Sequence, residues 1–173
     1  RFVERVLDGG GLAVGLTTGA FALSAALLRP FAGRIGDSHG RRVLVLGGSL
    51  VLGASYLLYL PIDALMPLIL LRVLSAVGEA AMFVGAATAI QDLAPPERRG
   101  EAASYFSVAV YGGLGLGPPL GEWVQHAHGY DAVWVSAAAV TFTATVLGWW
   151  TPSGITARAP TGTRRRLLHP AGL

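Results

Sequence analysis

The sequence contains no cysteine and no lysine, and only 13% of its 173 residues are charged. Without cysteine, the chain can form neither a disulfide framework nor a thiolate metal site. The charged fraction is about half of that in ordinary soluble domains. All 13 basic residues are arginine, which together with the abundant alanine and glycine indicates GC-rich coding more than a function.

The sequence is dominated by long apolar runs, and 53% of its residues are hydrophobic. The runs have no amphipathic stripe, and helices that are apolar on all faces suit lipid better than water. Five segments could each cross a bilayer, which takes about 20 mostly apolar residues: 11–32, 43–60, 65–91, 102–123 and 132–150. The sequence therefore predicts an all-α, polytopic membrane helix bundle over residues 1–150, followed by a basic linker over residues 151–173.

The arginines mark one side of this bundle. They lie between spans one and two (Arg34, Arg41, Arg42), between spans three and four (Arg98, Arg99), and after span five (Arg158, Arg164, Arg165, Arg166). The opposite connections hold only acidic charges, apart from two arginines at the start of the chain. The positive-inside rule then puts the arginine-rich loops and the linker in the cytoplasm. We expect an integral protein of a bacterial plasma membrane, with the lipid bilayer and not nucleic acid as its partner.

Aromatic and small residues add two further expectations. Aromatics fall at the outer boundary (Tyr56, Tyr59, Trp123, Tyr130, Trp134) and at the inner one (Tyr105, Phe106, Trp149, Trp150), which is typical of belts at the membrane interfaces. Glycines stand four residues apart on span one (Gly11, Gly15, Gly19) and on span four (Gly113, Gly117, Gly121). Such ridges allow helices to pack closely in lipid.

Two ionisable residues lie inside the third span. Arg72 would cost about 2.5–3.5 kcal/mol at the centre of a membrane helix, and Glu79 follows it by seven residues. That spacing puts both on one helix face, about 10 Å apart along the axis. Either Arg72 snorkels outward and Glu79 finds a polar neighbour, or both face a water-filled cavity and serve proton coupling or substrate binding.

The fourth span contains GGLGLGPPLGEW, in which Pro118 and Pro119 remove two successive backbone hydrogen bonds. We expect a kink at this point. The kink is either a simple bend for packing or a pivot in a protein that changes shape.

The stretch GRIGDSHGRR, residues 33–42, joins spans one and two. Its glycines would allow a tight turn, and its arginines mark the cytoplasmic side. Asp37 is a carboxylate near a helix end, and with Arg41 and Arg42 four and five residues on it would form an electrostatic latch. The alternative is a charged loop that only sets topology, which would leave Asp37 without a role.

Enzymatic readings have little support. GASY, residues 53–56, is similar to the Gly-x-Ser-Gly of intramembrane serine proteases, but Tyr56 follows Ser55 and no histidine lies in a later span. The four histidines have no metal-ligand spacing, and no Walker-type phosphate loop is present. We therefore expect neither an enzyme nor a bound cofactor or metal.

Three motifs together resemble the major facilitator superfamily. GRIGDSHGRR is similar to its G-x-x-x-D-[RK]-x-G-[RK]-[RK] motif between helices two and three: Gly33, Asp37, Gly40, Arg41 and Arg42 match, and Ser38 departs from it. RVLSAVGEAA resembles the fourth-helix motif of proton-coupled members, with Arg72 and Gly78 matching and Ala76 in place of a glycine. GLGLGPPLGE resembles the fifth-helix antiporter motif, with Gly113, Gly117, Pro118 and Gly121 matching and Glu122 replacing the last glycine.

The resemblance implies a fragment of such a transporter, comprising helices two to six of the six-helix N-terminal half. Helix one and the C-terminal half of the same protein would be the missing partners. It also implies proton-coupled export of small molecules, such as drugs or metabolites, by alternating access between two bundles. The resemblance also implies that Asp37 caps a helix end, pairs with basic residues and gates the cytoplasmic side. A non-transporting membrane sensor or assembly partner with this fold is the alternative.

Overall fold

The computed structural model describes residues 2–5, 7 and 10–150, so the predicted linker over residues 151–173 lies outside it. Regular structure in the described part is helical throughout. The elements are α1 (Phe2–Arg5), α2 (Gly11–His39), α3 (Arg41–Leu58), α4 (Leu65–Leu93), a 3₁₀ turn (Pro96–Arg98) and α5 (Arg99–Gly148). Among the described residues, α2, α3, α4 and the stretch Pro96–Gly148 are long and apolar enough to cross a membrane.

The last helix, α5, consists of two segments. Gly129 has non-helical dihedrals, with φ 82° and ψ −179°, and separates residues 99–128 (α5a) from residues 130–148 (α5b). A positive φ of this kind favours glycine because a Cβ would be strained there. With this break the described chain has five long helical segments, which confirms the predicted all-α membrane bundle.

The break is not where the sequence predicted a kink. Pro118 and Pro119 lie inside α5a, and the only residue of α5 with non-helical dihedrals is Gly129. Proline lacks the N–H donor, but its fixed φ is compatible with a helix. The proline pair therefore removes hydrogen bonds without ending the helix, whereas the glycine conformation ends it.

Helices α3 and α4 touch through their backbones. A Cβ built on Gly48 would meet the Met82 nitrogen and lie 2.7 Å from the Gly78 carbonyl oxygen. A Cβ on Gly78 would lie 2.6 Å from the Leu52 nitrogen. Small residues permit such an approach. In lipid there is no hydrophobic driving force between helices, so close van der Waals packing of this kind drives their association. These glycines hold α3 and α4 together.

Helix α3 also packs against α5b on another face. A Cβ on Gly53 would meet the ring of Phe142 at 2.8 Å. Nearer the start of α3, the Thr145 hydroxyl donates to the Ser49 hydroxyl at 2.8 Å. Helix α3 is therefore the central element, with α4 and α5b as its neighbours, and α2 lies against α4.

The two glycine ridges predicted from the sequence have no such role in the described chain. A Cβ added to any of their members (Gly11, Gly15, Gly19, Gly113, Gly117, Gly121) would meet nothing within 4 Å. Four-residue spacing shows that a face can pack closely but not that a partner is present. The buried positions of α2 are others, mainly Ala13, Thr17, Ala25 and Ala32.

Aromatic residues gather at the end of the bundle that holds Tyr59, which we call the aromatic end. Tyr59 is 1% exposed, and its ring centroid lies 4.7 Å from that of Trp134. Phe2 contacts Tyr130 and Trp134 edge to face, at 5.3 and 5.5 Å. Tyr59 therefore belongs to the core and not to a belt in the lipid, although Trp123 is exposed as expected.

The backbone contact between α3 and α4 predicts opposite effects at two adjacent glycines. Gly48→Ala should lower the free energy of unfolding by about 1–3 kcal/mol, since its methyl group would push the helices apart. Gly47 has nothing within 4 Å of a Cβ, so Gly47→Ala should be neutral or raise stability by up to about 1 kcal/mol. Thermal unfolding in detergent measures both, and equal effects would contradict the packing.

Candidate functional site

The GRIGDSHGRR motif forms the last turns of α2, a single linking residue and the first turn of α3. Gly40 is the link, with φ 92° and ψ 154°. Its N–H donates to the Gly36 carbonyl oxygen at 3.0 Å. The chain therefore reverses direction at one residue, a conformation that glycine adopts most readily. We call this end of the bundle the motif end.

Arg41 connects three helices at the motif end. Its Nη1 lies 2.7 Å from Asp37 Oδ1 on α2, and its Nε donates to Asp92 Oδ2 on α4 at 3.1 Å. The contact with Asp37 is an ion pair, and the contact with Asp92 is both an ion pair and a hydrogen bond. The Arg41 side chain is only 8% exposed, so both carboxylates balance a buried charge.

Asp37 does not cap a helix as the sequence predicted. Helix α2 continues to His39, so Asp37 lies within its last turns, and the N-cap of α3 is Gly40 without a side-chain cap hydrogen bond. Asp37 and Arg41 do pair across the turn. The sequence reasoning missed Asp92, although its position just before the next arginine-bearing connection could have placed it on the same side.

The glycines and Arg42 of the motif have separate environments. A Cβ on Gly36 would lie 2.9 Å from Arg41 Nη1 and 2.5 Å from Leu44, so Gly36 makes room for the buried guanidinium. Nothing lies within 4 Å of a Cβ on Gly33. Arg42 stacks on Trp149, with its guanidinium carbon 4.7 Å from the ring centroid. The structure thus joins Asp37, Gly40 and Arg41, but not Gly33 or Arg42.

In the middle of the bundle Glu79 pairs with an arginine of α2. Arg29 Nη2 lies 3.1 Å from Glu79 Oε1, and Glu79 is the midpoint of α4. The Arg29 guanidinium also lies over the Phe83 ring, 4.5 Å from its centroid. Sequence reasoning missed Arg29, although it lies within the predicted span 11–32, where a charged residue is costly.

Arg72 lies closer to the aromatic end and has a different environment. Its guanidinium carbon is 5.4 Å from the centroid of the Tyr59 ring. The Tyr59 hydroxyl hydrogen-bonds to the Ser75 hydroxyl at 2.9 Å. Arg72 Nε is buried and has no hydrogen-bond partner among the described residues. Arg72 and Glu79 thus share a helix, but Glu79 pairs with α2 and Arg72 with the ring of Tyr59.

Part of the fifth-helix motif borders a cleft at the aromatic end. The cleft has a volume of about 410 Å³ and is lined by Phe2, Pro118, Gly121, Glu122, Gln125, Tyr130, Val133 and Trp134. Gly113 and Gly117 are not among these residues and face open space. Ser55 is the serine that was considered for a protease-like function. It is buried, and its hydroxyl donates to the Val51 carbonyl oxygen at 2.7 Å.

Comparison with known proteins gives one family. A sequence model of the Major Facilitator Superfamily matches residues 3–170. The chain is 29% identical over 118 residues to multidrug resistance protein 1 of Bacillus subtilis, covering 68% of this chain and 30% of that protein. It is 34% identical over 128 residues to an uncharacterized MFS-type transporter of Salmonella typhimurium, covering 69% of this chain and 33% of that protein.

A third relative is the quinolone resistance protein NorA of Staphylococcus aureus, 27% identical over 114 residues, covering 66% of this chain and 29% of that protein. The chain spans about a third of the length of the curated relatives that it matches.

The buried Arg41 predicts a large difference between two neighbouring arginines. Arg41→Gln should lower the free energy of unfolding by about 2 kcal/mol, because Asp37 and Asp92 would be left close together without a cation. Arg42→Gln, which loses only the stacking on Trp149, should cost less than about 1 kcal/mol. Thermal unfolding in detergent compares the two variants, and an equal loss would contradict the bridging role of Arg41.

Proposed function

Because this chain belongs to the major facilitator superfamily, we propose that it forms part of a secondary transporter that exports small molecules in exchange for protons. The observation that carries the proposal is the placement of Arg29, Arg72 and Glu79 inside membrane-spanning helices, where ionisable groups are costly and mark transport pathways. Two relatives are named as multidrug and quinolone resistance proteins, which supports export over an enzymatic or purely structural role.

The proposed transport uses alternating access, in which two helix bundles rock about a central site. This chain supplies helices of one bundle, and the other helices come from elsewhere in the transporter. The motif end and residues 151–173 face the cytoplasm of a bacterial cell, in accordance with the arginine distribution.

The motif end is the proposed cytoplasmic gate. Asp37 is 59% exposed although it pairs with the buried Arg41, so its carboxylate can also reach cationic or N–H groups of the opposite bundle. Gly40 fixes the turn that presents Asp37, and Arg42 and Gly33 complete the gating surface. Contacts made here hold the outward-open state and break when the transporter switches, as in other two-state transitions.

Arg72 and Glu79 are the proposed coupling or cavity residues. Glu79 is a carboxylate at mid-membrane with a cation 3.1 Å away, and such a carboxylate can take up a proton when its partner moves. Arg72 keeps a positive charge in the same helix and favours the ionised state of acidic groups that approach it. The pair would thereby link protonation to the orientation of α4.

The fifth-helix motif is the proposed seam toward the opposite bundle. Gly113 and Gly117 face open space, and Pro118 and Gly121 border the cleft at the aromatic end. Small residues let the backbones of two helices approach closely in lipid. A seam of this kind lets the two bundles rock without separating.

The gate predicts a specific loss of transport. In the complete protein, Asp37→Asn should lower the export rate by about tenfold, corresponding to about 1.4 kcal/mol of lost gate stabilisation, while membrane insertion stays intact. Asp63→Asn is the control, since Asp63 is an aspartate of the α3–α4 connection at the opposite end. Transport by everted vesicles measures both, and unchanged export by Asp37→Asn would leave the motif with only a topological role.

The coupling role of Arg72 has a separate test. Arg72→Ala should abolish transport driven by an imposed proton gradient, because the buried positive charge to which we assign the coupling is lost. Exchange of labelled for unlabelled substrate, which needs no proton gradient, should continue and serves as the control. Proton-driven transport at the parent rate would refute coupling through Arg72.

A further inference from the structure

The first turn of α3 and the end of α5b meet at the motif end. A Cβ built on Gly148 would lie 2.9 Å from Val45 Cγ1, so the two helices are in close contact there. This contact brings Trp149, the residue that ends α5b, beside Arg42, the second residue of α3. The guanidinium carbon of Arg42 lies 4.7 Å from the centroid of the Trp149 ring. The stacked pair is therefore held in place by the packing of two helices.

The hydrogen-bonding capacity of Arg42 is unused. A guanidinium has five N–H donors, yet among the described residues Arg42 has neither an ion pair nor a hydrogen bond besides its stacking on Trp149. The adjacent Arg41 is different, since it lies between two carboxylates. An arginine that stacks on an aromatic ring keeps its planar edge available, and that edge matches the oxygens of a phosphate group.

The stacked pair lies at the depth of lipid headgroups. Arg42 is in the first turn of one membrane-spanning helix, and Trp149 directly follows the end of another. Tryptophan at such helix ends is typical of the interface between the apolar layer and water. The ring of Trp149 is 65% exposed, so the pair is accessible from outside the bundle. We expect the Arg42 guanidinium to lie level with the phosphate groups.

The side of the bundle formed by α3 and α5b is suited to lipid. The charged residues deep inside the described spans lie on α2 and α4: Arg29, Arg72 and Glu79. In contrast, α3 beyond residue 42 and α5b beyond residue 131 carry no charged residue. Charges within a membrane face the protein interior or a water-filled cavity, so the uncharged side borders the acyl chains. Val146, one turn before Trp149, is 63% exposed there.

We propose that Arg42 and Trp149 form a binding site for the headgroup of an anionic phospholipid, whose phosphate binds the guanidinium and whose acyl chains lie along α3 and α5b. The proposal rests on the proposed function in one respect, that the motif end faces the cytoplasm, where anionic lipids give the leaflet a negative surface potential. The bound lipid connects the ends of α3 and α5b and lies close to the Gly40 link.

Titration with phosphatidylglycerol tests the site. Native mass spectrometry of the complete protein in detergent resolves each bound lipid and gives the affinity of the first. Arg42→Gln should weaken this affinity about fivefold, the contribution expected of one interfacial arginine. Phosphatidylcholine with the same acyl chains should bind the parent and the variant equally weakly. Parent-like affinity in Arg42→Gln, or parent binding of phosphatidylcholine as tight as that of phosphatidylglycerol, overturns the proposal.

Arg34→Gln is the matched control for charge. Arg34 lies at the same end of the bundle but on α2, where it contacts the ring of Phe31 at 6.0 Å and has no carboxylate partner among the described residues. Its replacement also removes one positive charge, yet it should leave the affinity for phosphatidylglycerol unchanged. If both arginine variants weaken binding equally, the effect is general electrostatics and there is no site at Arg42.

Two tryptophan variants test the stacked ring. Trp149→Leu keeps the charge of Arg42 and should weaken phosphatidylglycerol binding about twofold to fivefold, because the ring no longer orients the guanidinium. Trp150→Leu should not weaken it, since Trp150 is 76% exposed and Arg42 stacks on Trp149 instead. Equal losses in the two variants, or no loss in Trp149→Leu, would count against the site.

Inorganic phosphate distinguishes a lipid from a free anion. At millimolar concentration it should not displace phosphatidylglycerol from the parent protein, because it lacks the acyl chains that contact α3 and α5b. Displacement together with parent-like lipid binding by Arg42→Gln in phosphate would identify a site for free phosphate and overturn the lipid proposal.

The result is separable from the transport proposal, because lipid affinity in detergent depends on neither transport nor orientation. Proton-driven export by a protein whose lipid affinity is the same in Arg42→Gln as in the parent would refute the lipid site and leave the transporter intact. The expected changes in lipid affinity without any transport would support the site and refute the transport function.

Discussion

The direct contact between the backbones of α3 and α4 at Gly48 and Gly78 determines where the other groups meet. It sets the register of two antiparallel helices, because a glycine pair in contact allows almost no sliding. With that register, Arg41 at the start of α3 reaches Asp92 at the end of α4. At the other end Tyr59 reaches Ser75. The charged bridge and the polar contact of the core are both consequences of one close approach.

The ionisable side chains differ in the number of oppositely charged partners that neutralise them, and this difference indicates different structural roles. Arg41 is buried between two carboxylates and connects three helices, so its charge belongs to the architecture of the motif end. Arg29 and Glu79 are a single pair whose side chains are 44% and 22% exposed, so this pair joins α2 to α4 through one contact. A buried cation between two carboxylates is costly to move, and either member of an ion pair inside a membrane helix is costly to leave unpaired.

The sequence predicted the long helices because each membrane span needs about 20 apolar residues in a row, which can be recognised within that segment alone. It predicted the arginine-marked end because the arginines follow the positive-inside rule. It did not predict the partners: Asp92 is 51 residues from Arg41 and Arg29 is 50 residues from Glu79, and no local pattern encodes such pairings. Glycine spacing was equally incomplete, since the ridge beginning at Gly113 has a signature but no described neighbour, while Gly48 and Gly78 pack without a regular spacing. The sequence also did not show that the break in α5 lies at Gly129, beyond the proline pair at which a kink was expected.

The one-residue link at Gly40 has a mechanical consequence. Two helices joined by a single residue have no slack, so a displacement of α2 along its axis must be passed on to α3. Arg41 also binds Asp92 of α4 at the same end. A force on the end of α2 is therefore transmitted to α3 and α4, and the three helices move together. Relative motion within the bundle is then left to the connection at residues 94–98, which joins α4 to α5.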